Sequence, residues 1–160
     1  MKNNIRIKDQ KGATVVEFAI VLPLLVLFVA GTIEFGLLLY NKQVIVNASR
    51  EGARAGIIAY NSDPPPGEPA GGRYFSDNNA IITIIENYCA HHLITFGDAH
   101  ELDSDDIDFT PIDRTASSFE TPFTVTVTYE YSFLLPGVLG FGPNMELTGT
   151  TTMLMQHFFE

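Results

Sequence analysis

Residues 11–31 read KGATVVEFAIVLPLLVLFVAG: a basic residue, a glycine, then an apolar run carrying one carboxylate, Glu17, and one proline, Pro23. A bilayer's hydrocarbon core takes about 20 helical residues. The apolar character continues through Phe35, Leu37, Leu38 and Leu39, so the stretch predicts a helix retained as a membrane span. An unpaired carboxylate in hydrocarbon costs a few kcal/mol or more. Glu17 therefore calls for a cationic partner, and cutting the chain after Gly12 would create one, the free amine of Ala13.

The competing reading is an ordinary secretory signal peptide removed near Ala30-Gly31. Such peptides usually have a core of about 7–15 apolar residues. This run is longer, and Glu17 is out of place at the start of such a core. Pro23 has no N–H to offer the Ala19 carbonyl, which predicts a helix kink at that point. Proline is also simply tolerated in membrane helices, so a kink that serves extraction from the bilayer and one without consequence both stand.

The net charge of −10 conceals a polarity. Before Gly12, Lys2, Arg6, Lys8 and Lys11 face only Asp9. From Asn41 onward, acids heavily outnumber Lys42, Arg50, Arg54, Arg73 and Arg114. Basic residues flanking a span stay in the cytoplasm, which places the amino terminus inside and the acidic bulk outside. That acidic exterior repels phosphates and argues against a nucleic-acid partner. A lone cysteine, Cys89, forms no intramolecular disulfide and fixes no redox compartment.

Gly12, four residues, then Glu17-Phe18 resembles the processing motif of Flp-type prepilins and TadE-like pseudopilins. Leu22-Pro23-Leu24, Ile33-Glu34-Phe35-Gly36 and Ala48-Ser49-Arg50-Glu51-Gly52-Ala53-Arg54-Ala55 extend the resemblance to the TadE signature over roughly residues 12–56. The resemblance implies a minor pilin or pseudopilin of a tight-adherence pilus, cut between Gly12 and Ala13 by a prepilin peptidase. It further implies, as partners, other pilins and pseudopilins of the same system, an inner-membrane assembly platform and the lipid bilayer. Glu17 would pair with the Ala13 amine in cis or on a neighbouring subunit. The alternative is a single-span envelope protein, uncut, whose outer domain binds a ligand or partner outside any filament.

The helix is predicted to continue to Tyr60, with Val44, Ala48, Ala55 and Ile58 on its apolar side. Ala48, Gly52 and Gly56 form a small-residue row at spacing four that lets something approach the backbone closely. It reads first as a seat for the chain's own sheet and second as a subunit contact. Glu34, near the far side of the bilayer, is read as an acid at headgroup level. The predicted organisation is a basic leader over 1–12, a membrane and stalk helix over 13–60, a Pro/Gly-rich loop over 61–75 and an extracytoplasmic domain over 76–160.

In the domain, Ser76 or Asp77 caps a second helix. There Ile81, Ile84, Ile85 and Tyr88 give one apolar face ending near Leu93. Ile107 and Phe109 begin a strand. The clearest strand is 123–133, FTVTVTYEYSF, with Phe123, Val125, Val127, Tyr129, Tyr131 and Phe133 on one face. Residues 147–156 make a third strand, with Met153 and Met155 inward. The apolar loop from Leu134 to Asn144 packs on the core or faces lipid or a neighbour. The fold class is α+β and pilin-like: a long amino-terminal helix packed at its outer half on a small antiparallel sheet, with a second short helix.

No residues form a catalytic set: a nucleophile elbow, a P-loop and a GxGxxG fingerprint are all missing from the sequence. The reading is non-enzymatic, with no cofactor. Cys89, His91, His92 and His100 make one cluster where zinc sites show two. Asp98, Glu101, Asp103, Asp105, Asp106 and Asp108 lack the glycine that a calcium loop has at its turn. The histidines read as surface residues beside a core-facing cysteine and the acids as a solvated loop, with no metal assigned.

Overall fold

A computed structural model describes residues 10–60, 74–75, 77–96, 102–111, 121–135 and 142–155. Helix α1 runs from Gln10 to Ile57 and carries Pro23 without interruption of its assignment. It starts ahead of Ala13 and stops short of the predicted Tyr60. Ala59–Tyr60 instead forms a short strand, β1, pairing antiparallel with β2, Tyr74–Phe75. The Pro/Gly-rich segment is thus closed at its base by a ladder. Residues 61–73 of that loop and the leader residues 1–9 lie outside the described residues.

Helix α2 spans Asn78–His92. Asp77 occupies its N-cap position, but its side chain makes no cap bond and accepts instead from Asn79 Nδ2 at 3.1 Å. Ile81, Ile85 and Cys89 are the buried positions, one per turn at spacing four. Tyr88 is half-buried and Ile84 is exposed, so the apolar face is narrower than the sequence rule gives. A turn of 3-10 helix over Ser104–Asp106 closes on itself. Asp103 accepts from the Asp105 N–H, and Asp106 accepts from the Asp103 N–H.

Three antiparallel strands follow in the order β3–β4–β5: Ile107–Thr110, Pro122–Ser132 and Asn144–Leu154. Strand β4 is central, paired along both edges, and it alternates most strictly. Phe123, Val125, Val127, Tyr129 and Tyr131 are all buried, and the intervening threonines and Glu130 face outward. On the outer face, Thr124 pairs hydroxyls with Thr152 at 2.8 Å and Thr126 with Thr150 at 3.3 Å. Phe109 of β3 stacks on Phe123 with ring centroids 6.1 Å apart. The third strand begins three residues before Leu147, the predicted start, since Asn144 already pairs with Ser132.

The buried core joins Ile45, Ala48 and Ala53 of α1 to Ile81, Ile85 and Cys89 of α2 and to the inner face of β4 and β5. Its α1 members all lie beyond residue 43. Residues 12–29 are exposed throughout, and the first buried position is Glu34. One continuous helix thus has two surroundings: its carboxyl-terminal half enters the core, while among the described residues 12–29 are all exposed.

Candidate functional site: the amino-terminal helix and its junction with the domain

The amino-terminal end of α1 presents Gly12, Ala13 and Glu17, all exposed. A Cβ built on Gly12 meets nothing within 4 Å, so the fold gives no packing reason for glycine there. In a helix interior, glycine costs about 1 kcal/mol relative to alanine. Glu17 has no hydrogen-bond or ion-pair partner among the described residues. Val15, Val16, Phe18, Ile20, Leu24, Leu25, Phe28 and Val29 surround it with exposed apolar surface. Among the described residues this is the one helix long and apolar enough to cross a membrane, which suggests a single-pass, membrane-anchored protein.

The junction is built on Glu34, which the sequence reading left at headgroup level. Its side chain is 2% exposed and fully engaged. The Tyr131 hydroxyl donates to Oε1 at 2.9 Å, the Leu134 N–H to the same oxygen at 3.0 Å, and the Leu135 N–H to Oε2 at 3.3 Å. A buried carboxylate is tolerated only when its oxygens are hydrogen-bonded, and here three donors converge on it. Burial first, then the bond to Glu34, hold the Tyr131 phenol above its ordinary range. The effect is a clasp: the end of β4 and the turn after it are fastened to α1 where the exposed half of the helix ends.

Further along α1, two adjoining stripes diverge. One meets the sheet: Lys42 donates its ammonium to the Thr148 carbonyl, Ile45 meets Gly149, and the Ser49 hydroxyl lies 2.7 Å from that of Thr151. A Cβ on Gly149 would sit 2.7 Å from the Ile45 carbonyl oxygen, so β5 and the α1 backbone approach as closely as glycine allows. The other stripe meets α2 and the segment after it. Asn41, fully buried, donates Nδ2 to the Ile94 carbonyl at 2.7 Å and accepts the Ile94 N–H at 3.0 Å. A Cβ on Gly52 would lie 2.5 Å from Ile85 Cδ1.

Of the small-residue row, Gly52 is turned to α2 rather than to the sheet. The glycine that lets the sheet in belongs to β5. Ala48 and Gly56 are both buried on α1. The contacts of Glu34, Asn41 and Gly149 had no sequence signal, because the residues they meet lie 53 or more positions away. Only their chemistry hinted: a carboxylate, an amide and a glycine in otherwise regular elements.

His91 and His92 each turn Nδ1 back to a helix carbonyl, of Asn87 and Tyr88, at 2.6 and 2.7 Å. Cys89 is buried, and burial pushes its thiol from an ordinary 9.0 up to about 12. These side chains do not converge, and among the described residues no group of three or more His, Cys, Asp or Glu is placed to hold a metal. Asp103 and Asp106 spend carboxylate oxygens on their own backbone, while Asp98, Glu101 and His100 lie outside the described residues.

Glu34 and the exposed half of α1 belong to one segment with a recognisable pattern. Residues 12–54 match the TadE-like protein family. The TadE-like match starts at Gly12 and ends near the end of α1, so it coincides with the helix and leaves α2 and the sheet outside it. No curated protein and no solved structure matches the chain. The TadE-like family is structural rather than enzymatic, and the match together with the apolar helix fits a subunit of a tight-adherence pilus.

Proposed function

We propose that this chain is a minor pilin or pseudopilin, a non-enzymatic structural subunit in assembly of a tight-adherence (Flp-type) pilus. In this reading a prepilin peptidase cuts after Gly12, and the freed Ala13 amine pairs with Glu17 in cis or on an adjacent subunit. The helix waits in the inner membrane with the domain extracytoplasmic, and then joins other pilins and pseudopilins through the assembly platform. A kink at Pro23 would assist that transfer. Ala48, Gly52 and Gly56 serve internal packing in the same reading.

One observation carries the proposal. The TadE-like match begins at a glycine the fold does not need, and five residues on stands a carboxylate with no partner among the described residues. A residue without a packing role and an acid without a counter-charge are both accounted for by one cut, which consumes the first and supplies an ammonium for the second. An ammonium and a carboxylate attract more strongly in an apolar surrounding than in water. The direction is enough to set helix register in an apolar surrounding.

The test is Glu17→Ala in cells carrying the assembly machinery. The expected result is normal removal of residues 1–12 with loss of the protein from the sheared filament fraction. A single-span envelope protein outside any filament predicts the opposite pair: no cleavage, and Glu17→Ala without effect on function.

A further inference from the structure

The uncharged run 18–33 of α1 lies between two acids, Glu17 and Glu34. Residues 13–33 extend about 30 Å at 1.5 Å per residue, the thickness of a typical hydrocarbon core. Glu34 then stands at the outer boundary of that core. Its carboxylate holds the N–H groups of Leu134 and Leu135, which fixes these residues at the same height as the boundary. Their side chains are turned out, 43% and 40% exposed, and Met145 at the neighbouring start of β5 is 49% exposed.

Beneath them runs an open apolar groove of about 810 Å³, walled on α1 by Leu24, Leu27, Phe28 and Phe35 and on the sheet by Phe133 and Met145. The groove descends from the domain along the outer-leaflet half of the predicted span. Apolar surface of this kind, continuous with a lipid-facing helix, demands hydrocarbon rather than water. Protein partners would need a matching ridge, whereas acyl chains fill such a slot without one.

From this placement we infer that the β4–β5 end of the domain docks on the outer leaflet of the bilayer, with Leu134, Leu135 and Met145 immersed at the interface and phospholipid acyl chains occupying the groove. The domain is thus held down at two points, by α1 and by this apolar end, and Glu34 is the group that fastens one to the other. Contact is apolar: Glu130 and Glu146 flank Met145 in strand register and give anionic headgroups nothing to attract. Leaving the membrane would require the docked end to let go together with the span.

The inference rests on α1 being a membrane span, and the experiment separates the two. The full-length chain is reconstituted in phosphatidylcholine vesicles, with single cysteines introduced as Leu134→Cys, Leu135→Cys, Phe28→Cys or Thr150→Cys. Each is labelled with an environment-sensitive fluorophore, and acyl-chain-brominated phosphatidylcholine is used as quencher. Cys89, buried in the core, takes up no label. Expected are blue-shifted emission and bromine quenching at positions 28, 134 and 135, with neither at Thr150 on the exposed face of the sheet. Quenching at position 28 with water-like emission at 134 and 135 overturns the docking and leaves the span intact. Blue-shifted emission at 134 and 135 without quenching also overturns it, because a protein surface then covers them. No quenching at position 28 removes the span and the docking together.

Discussion

Glu17 and Glu34 are both acids on one apolar helix, and they differ in where their partners lie. Glu34 finds three donors within the chain; Glu17 finds none among the described residues. Removing the first should therefore cost fold stability, and removing the second should not. Glu34→Ala leaves a buried phenol and two N–H groups unmet, and a hydrogen bond to a charged group contributes about 1.5–3 kcal/mol. We expect destabilisation of about 2–3 kcal/mol by urea unfolding in micelles, a smaller loss for Tyr131→Phe, and none for Glu17→Ala. Cys89 makes a second residue-level prediction. Its thiol is held protonated in the fold up to about 12, while the unfolded thiol ionises near 9.0. Between these values the unfolded state binds fewer protons, so the contribution is fully present below pH 9 and is lost as pH rises towards 12. The folded chain should resist iodoacetamide at pH 8 and react once unfolded, and Cys89→Ala should unfold less steeply with rising pH.

Elements meet through two glycines whose surroundings differ, and that difference is measurable. Beyond Gly149 lies the α1 backbone at Ile45, which cannot step aside; beyond Gly52 lies the end of the Ile85 side chain, which can turn. Gly149→Ala should cost about 1–3 kcal/mol through overpacking. Gly52→Ala should cost less, because alanine recovers about 1 kcal/mol of helix propensity. On the solvent face, Glu130 and Glu146 stand directly opposite in the β4–β5 ladder. Like charges so placed are unfavourable, so Glu146→Lys should raise the unfolding midpoint, by about 0.2–1 kcal/mol equivalent. Local pattern made much of this legible. The alternation of 123–133 announced the central strand and its buried face, and the apolar run announced α1. What could not be read was how elements touch. Ile84 satisfies helical spacing yet is exposed, because α2 leans on a narrow stripe of α1. The end of α1 was misplaced because Ala59 and Tyr60 answer to a ladder with Tyr74 and Phe75, across a loop whose length hides the pairing.

Taken whole, the described residues form a long helix whose carboxyl-terminal half is buried in a small domain and whose residues 12–29 are exposed. In the proposed reading, the basic residues before Gly12 and the acidic residues beyond Asn41 orient the span, with the amino terminus inside and the domain outside. The apolar helix was legible in the sequence because hydropathy adds along the chain without folding. The Glu34 clasp was not, because it joins residues about a hundred positions apart that only the fold brings together. The bare half of α1 lies within the TadE-like match that begins at Gly12, and the proposed cut makes it a subunit's assembly surface. Mass spectrometry of the native protein's amino terminus, taken from envelopes of cells with an active prepilin peptidase, decides this. The account predicts a chain beginning at Ala13, and recovery of the protein with residues 1–12 still attached would contradict it.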